Sequence, residues 1–234
     1  MAPSHADLTV LLKTHVNEAG FVDYRGLKRE SGDLKRYLEG CRKVTKGRYD
    51  QWSDDEQLAF LINVYNATTL ALILDHYPVT SIKKIGGVFS SPWKKRVVSL
   101  FGERISLDDL EHGKIRAWFQ VPEIHFALVC AARGCPPLRR EAYQGAKLRD
   151  QLKEQGHRFL SDSQKNRWHS KESRLYLSPI FKWFASDFKT ESASVEAFAM
   201  QYLPEAVVSE MRRTKTLSIR YTHYDWGLNE WRRR

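Results

Sequence analysis

Along this chain the hydrophobic positions follow three patterns, each predicting a different element. Apolar residues recur at helical spacing from Asp7 to Val16 and from Leu34 to Cys41, separated by a turn at Glu18-Ala19-Gly20 and a short extended piece, Phe21 to Tyr24. Ser53-Asp54-Asp55-Glu56 has the form of a capping box, in which a serine hydroxyl accepts from an orphan amide and a glutamate reaches back to the cap. Beyond it, from Leu58 to His76, apolar residues occupy nearly every side of a helix, which predicts a buried central helix. Pro78 stops it, because proline lacks the amide that would continue the ladder.

The second half mixes periods. Val88 to Pro92 reads as a loop, and Lys95 to Phe101 as a strand that turns at Gly102-Glu103 toward Ile105. Ser106-Leu107-Asp108-Asp109 is a second capping signature, opening a helix that runs to Phe119. Ile124 to Ala131 is a near-continuous apolar run of strand length and predicts a central strand, followed by a loop over Ala132 to Arg140 and a helix over Ala142 to Leu160. Short strands are expected at Arg174 to Leu177 and Leu217 to Tyr221, a helical turn at Ile180 to Phe184, and helices at Ser194 to Tyr202 and Glu205 to Arg213. Without a regular βαβ alternation or a linker, the pattern predicts a helix-rich α+β single domain over 1–234 with a small, largely antiparallel sheet. A helical segment, 1–50, packs on the 53–234 core.

Composition narrows the function classes. A hydrophobic content of 42% is that of a globular chain, and no uninterrupted apolar run reaches the roughly 18 residues of a membrane span. The net charge of +10 is scattered over Lys94-Lys95-Arg96, Arg139-Arg140, Arg212-Arg213 and Arg232 to Arg234. It forms no basic helix face, so a solvated positive surface is expected rather than specific nucleic-acid binding. Met1 to Asp7 lacks the basic and apolar regions of a signal peptide, although the mature part of an exported protein would look the same.

Three cysteines, Cys41, Cys130 and Cys135, are too few for a disulfide scaffold, and their odd number leaves at least one thiol free. Cys135 lies in Arg133-Gly134-Cys135-Pro136-Pro137. Pro136 at a first helical position would place Cys135 at the cap of a helical turn, where the backbone dipole, Arg133 and Arg139 would favour thiolate. That makes Cys135 the candidate nucleophile; the alternative is a buried cysteine at a tight turn. Cys130, inside the apolar run, reads as core. A Cys130–Cys135 disulfide or metal pair fits neither a zinc knuckle nor a redox Cys-x-x-Cys spacing, and no metal or cofactor is expected.

A cysteine nucleophile needs a base. His125 precedes Ala131 by six strand residues, about 20 Å at the usual rise, which puts it at the far end of the expected strand unless that strand is bent or short. His112 shares a helix face with Asp108 and Arg116, so a carboxylate is available to fix its tautomer, while Glu111 points elsewhere. Gly113 beside it suggests close backbone approach. Asn63 and Asn66, on the most apolar helix, either anchor loops or orient a histidine or an oxyanion. In Tyr224-Asp225-Trp226-Gly227-Leu228-Asn229, Asp225 either caps a turn or stands as a third group near His112.

These segments together resemble the family called domain of unknown function 547. The resemblance rests on Asp55 to Phe60 with Ile62 to Ala67, Asp75 to Val79, Ser106 to Gly113 with Arg116, Ile124 to Ala131 running through Gly134 to Leu138, and Tyr224 to Trp226 with Leu228-Asn229. It extends over nearly the whole chain; Leu61 departs from a frequent tryptophan. It implies one spatial site built from the Cys135 loop, His112, the Asn pair and the Tyr224 segment, and a periplasmic or secreted mature form, with a cytoplasmic location as the alternative. The function expected is cysteine-dependent acyl transfer on a peptide or other small acyl substrate, papain- or transglutaminase-like in chemistry. Cys135 attacks, His112 accepts its proton and Asp108 or Asp225 orients His112, with Asn63, Asn66, Glu111, Arg116, His125, Arg133, Tyr224 and Trp226 as support. The alternatives are a non-catalytic module binding a peptide, glycan or anion, and a thiol-redox protein.

Overall fold

The computed structural model describes residues 4–86, 91–214 and 217–231. Most of the expected Val88–Pro92 loop and the Arg232 to Arg234 cluster lie outside the described residues. At the centre is α5 (Asp54–His76), preceded by α1 (Ala6–His15), α2 (Tyr24–Arg29), α3 (Gly32–Arg42) and α4 (Lys46–Tyr49). Its start is the expected capping box: Ser53 accepts from the Glu56 amide, and the Glu56 carboxylate accepts from the Ser53 amide at 3.0 Å. Every residue from Leu58 to Leu70 is buried, so α5 is covered on all sides by its neighbours. Among the described residues α5 alone is long and apolar enough to cross a membrane by length and composition, and 89% of its most apolar window is buried inside the fold.

Among the described residues five short strands flank this helical body. β1 (Val98–Leu100) and β2 (Glu103–Ile105) form an antiparallel hairpin, and a second sheet has the order β3 (Arg167–His169), β4 (Arg174–Leu177), β5 (Ser218–Tyr221). β3 pairs antiparallel with β4, whereas β5 pairs parallel to it, with Leu175 opposite Ile219. The fold is therefore helix-rich α+β, with its strands split between two small sheets. β3 carries no apolar alternation, which is why the sequence does not announce it.

The largest departure from expectation lies at 124–131. In place of a central strand, α8 (Ile124–Ala127) is one buried helical turn, after which Leu128 is extended and residues 128–130 join no strand among the described residues. A short buried helix and a buried strand both read as an unbroken apolar run, so periodicity cannot separate them. What settles the geometry is Asn66 on α5, whose amide donates to the Ala127 carbonyl and whose oxygen accepts from the Val129 amide, both at 2.9 Å. Asn63, one turn earlier, grips both backbone groups of Tyr143 in the same way, so the 142–144 stretch is extended and α9 begins only at Leu148, running to Leu160.

The helix expected from Ser106 forms as α6 (Leu107–Leu110), a π-helical turn over Glu111–Ile115 and α7 (Arg116–Phe119). A Cβ built on Gly113 would meet nothing within 4 Å, so no close backbone approach explains this glycine. After β4 the short helices α10 (Ile180–Trp183) and α11 (Ala185–Phe188) bring aromatic residues against α8, and α12 (Val195–Met200) and α13 (Glu205–Arg213) complete the chain before β5.

Candidate active site

Pro136 does not open a helix: residues 136–139 form no regular element, so no helix terminus acts on Cys135. The loop is shaped by backbone pairing instead. Ala131 adopts φ +60°, a left-handed conformation uncommon for a residue with a Cβ, and reverses the chain between the two cysteines. It is held there by the Asn229 amide, which donates to the Ala131 carbonyl at 3.0 Å, and by the Ala132–Leu228 bridge beside it. The Arg133 and Gly134 amides donate to the carbonyls of Gly227 and Asp225, both at 2.8 Å. From the other side Gln155 on α9 donates to the Pro137 carbonyl, and Lys165 to the Cys135 carbonyl, each at 2.9 Å.

This frame turns both sulfurs inward. Cys130 Sγ and Cys135 Sγ, both free thiols, stand 2.6 Å apart, and Cys135 Sγ also accepts from the Cys130 amide at 3.1 Å. The Tyr224 hydroxyl reaches Cys135 Sγ at 3.2 Å and Cys130 Sγ at 3.4 Å. Burial by itself would raise the Cys135 thiol; the Cys130 thiol, the Tyr224 hydroxyl and the backbone at Ala132 and Cys130 outweigh it and bring the thiol down to about 7. The same thiol–thiol hydrogen bond, with burial, holds Cys130 well above its usual range. The two sulfurs therefore share one proton over a broad interval of pH, and the first ionisation of the pair is the easy one. Cys41, buried elsewhere, is pushed up to about 11 by burial and takes no part.

The pair opens onto a cavity of about 230 Å³. Trp93, Trp183, Phe184, Tyr224 and Trp226 line one part of it, with ring centroids of Trp226 5.8 Å from Trp93 and 4.6 Å from Tyr224. Asp108, Glu111, His112 and His125 line the rest. His125, 3% exposed, is not at the far end of a strand, since the strand is absent; it lines the same cavity as the cysteines. Its ring stacks on Phe184 at 3.8 Å, and its Nε2 lies 2.8 Å from the Asp187 carboxylate. Burial depresses His125, with the Asp187 bond opposing it, so the ring is neutral and bonds through Nε2–H. Nδ1 is left as an acceptor without a partner among the described residues. Asp187 is held below the usual carboxylate range by the His125 bond and by Arg116, which makes two 2.6 Å bonds to it.

The remaining expected site residues fall into two groups. His112 lines the cavity, with Nε2 3.5 Å from Asp108 and Nδ1 2.9 Å from Arg116, as its helix face predicts. Glu111 lines it too rather than pointing elsewhere, because the π-helical turn begins at that residue, and it accepts from the buried Tyr65 hydroxyl at 3.0 Å. Neither histidine is a hydrogen-bond partner of either sulfur among the described residues. Asp225 is exposed, caps the Gly227 amide at 2.7 Å and lines a different groove, away from His112. Arg133 faces that groove as well, bonded to the Leu228 carbonyl, and Arg139 is paired with Glu141 and Glu154, so neither cation touches Cys135. Asn63 and Asn66 each bond loop backbone through both amide and oxygen, and neither lines this cavity. Sequence reasoning missed Cys130 as a site residue, along with Asp187, Tyr65 and the tryptophans at 93 and 183.

Residues 49–160 match the family model described as protein of unknown function, DUF547. Over this segment the chain resembles the DUF547 family. The match takes in both cysteines, His112, His125 and Glu111, but not Asp187 or the Tyr224–Trp226 segment, so it is narrower than the whole-chain resemblance suggested. No curated protein and no solved structure matches this chain.

Proposed function

We propose that this protein performs thiol–disulfide exchange on a small substrate held in the cavity. The observation that carries the reading is the Cys130–Cys135 pair, 2.6 Å apart on the cavity wall, with one thiol acidified toward neutral pH. A thiolate is the attacking species in exchange, and the best attacking thiol has a pKa near ambient pH. Cys135 thiolate attacks one sulfur of the substrate disulfide, whose S–S bond breaks and releases one thiolate, which takes up a proton. Cys130 then loses its proton and attacks Cys135 Sγ, expelling the second substrate thiol and leaving the Cys130–Cys135 disulfide. The substrate gains two electrons and two protons, and an external thiol must return them to the protein. An exported location, as the resemblance implies, would supply disulfides as substrate.

The decisive experiment is mass spectrometry of the reduced protein after exposure to a small disulfide. Wild type is expected to lose two hydrogens with no adduct remaining; Cys130→Ser traps the mixed disulfide on Cys135, and Cys135→Ser forms none there. A wild-type pair that stays reduced, with no adduct on Cys130→Ser, rules the reading out.

One observation favours a second reading. His125, on the same cavity wall, forms a neutral imidazole–carboxylate pair with Asp187 behind it, the arrangement that acyl transfer by a cysteine uses. In that chemistry Cys135 remains the nucleophile, and His125 with Asp187 replaces His112 with Asp108 or Asp225. Cys130 separates the two readings: Cys130→Ser leaves hydrolysis of an activated ester intact under acyl transfer and abolishes turnover under exchange.

A further inference from the structure

The polar chemistry of the cavity wall is one-sided. Among the described residues it presents two carboxylates, Asp108 with His112 beside it and Glu111, and the unpartnered Nδ1 of His125, itself 3% exposed, and no lysine or arginine. On a chain of net charge +10 that is the opposite of the average surface. Glu111 accepts a single bond, from Tyr65, and its carboxylate has capacity for more. The guanidinium of Arg116 lies over the Phe184 ring at 5.1 Å and is taken up by Asp187 and His112. Much of the remaining wall is aromatic, and the faces of such rings attract cations. The fold already uses this attraction: Lys83 Nζ sits 3.8 Å from the centroid of Trp226.

Resting on the exchange reading, we infer that the substrate is a small cationic disulfide, carrying an ammonium group a few bonds from sulfur on an apolar stem. With a sulfur at the Cys130–Cys135 pair, the stem lies along Trp93, Trp183 and Trp226, and the ammonium donates to Glu111, Asp108 or His125 Nδ1. An anionic disulfide meets two carboxylates and no cation on the wall.

The test compares three disulfides of similar length against the reduced protein: cystamine, hydroxyethyl disulfide and dithiodipropionate. Each rate is divided by that of the same disulfide with mercaptoethanol, which removes intrinsic differences in reactivity. The normalised rate is expected to be at least about 10-fold higher for cystamine than for dithiodipropionate, the equivalent of about 1.4 kcal/mol. The preference falls with added salt and in Glu111→Gln and Asp108→Asn. Equal normalised rates, or a preference for the anion, overturn the inference and leave exchange standing; no reaction at Cys135 with any of the three overturns exchange itself. A second readout needs no exchange. Hexamethylenediamine, the sulfur-free analogue, should slow iodoacetamide alkylation of Cys135, whereas hexanediol and adipate should not. Equal protection by all three would likewise sink the charge preference.

Discussion

The hydroxyl of Tyr224 lies 3.2 Å from Cys135 Sγ, across 89 residues of sequence. The contact exists because residues 131–134 and 225–229 pair through their backbones, so the loop that holds the thiol also carries its donor. A hydroxyl donating to sulfur favours thiolate over thiol. Tyr224→Phe keeps the ring and removes the donor, and the Cys135 pKa is expected to rise from about 7. A hydrogen bond to a charged group contributes about 1.5–3 kcal/mol, or roughly one to two pKa units. Alkylation against pH, with Cys41 as an unreactive internal reference, reads the shift directly. An unchanged midpoint would show that the hydroxyl does not stabilise the thiolate.

Gly134 should reach the same chemistry from a distance. A Cβ at this position would stand 2.9 Å from two atoms of the Tyr224 ring, closer than such contacts allow. Gly134→Ala must push the ring away and weaken its bond to both sulfurs, so its alkylation profile should move in the same direction as that of Tyr224→Phe. Gly113→Ala is the contrast. Its Cβ meets nothing, and alanine in a helix is favoured over glycine by up to about 1 kcal/mol, so the melting temperature should hold or rise with no change in the profile.

His125 and Asp187 are expected to act on stability in the same sense, over different pH windows. Burial lowers His125, so the unfolded chain binds that proton more readily than the folded one, and stability falls as pH drops below about 6.5. Asp187 is also depressed; its contribution is complete above its unfolded value, about 3.9, and is lost as pH falls through the lower folded value. Asp187→Asn should therefore lose stability relative to wild type near neutral pH, and the gap should close in strong acid. Urea midpoints across pH test this, and nitrogen chemical shifts should show His125 neutral at pH 7, protonated on Nε2. A gap that widens in acid would reverse the sign of the argument.

How much of this was legible in the sequence depended on how local the signal was. The central helix was readable to its first residue because Ser53, Glu56 and Pro78 are local instructions. Cys135 stood out beside two prolines and a glycine. Cys130 reads as core because its neighbours are apolar; its direction is set by the left-handed turn at Ala131, which no periodicity encodes. Asp187 sits in a polar stretch with nothing to mark it, 62 residues from the histidine it binds. His125 was assigned to the wrong end of the site for the same reason that a strand was expected: the run Ile124 to Ala131 is apolar in either conformation, and the choice between them is made by Asn66.

Asn66 supplies the last prediction, with Asn63 as its control. Each amide makes two hydrogen bonds to the backbone of a buried loop, Asn66 to Ala127 and Val129, and Asn63 to both groups of Tyr143. Replacement by alanine leaves two buried backbone groups without partners in either case, at about 1–3 kcal/mol per group. Asn66→Ala and Asn63→Ala should therefore lower stability by similar amounts in urea unfolding. Their effects on chemistry should differ, because only Asn66 fixes the segment that ends at Cys130. Loosening that segment separates the sulfurs, so Asn66→Ala should raise the alkylation midpoint of Cys135 and slow closure of the Cys130–Cys135 disulfide, while Asn63→Ala leaves both near wild type. Matching midpoints in the two variants would mean that the thiol pair is organised by its own loop and the 225–229 segment, with no help from the central helix.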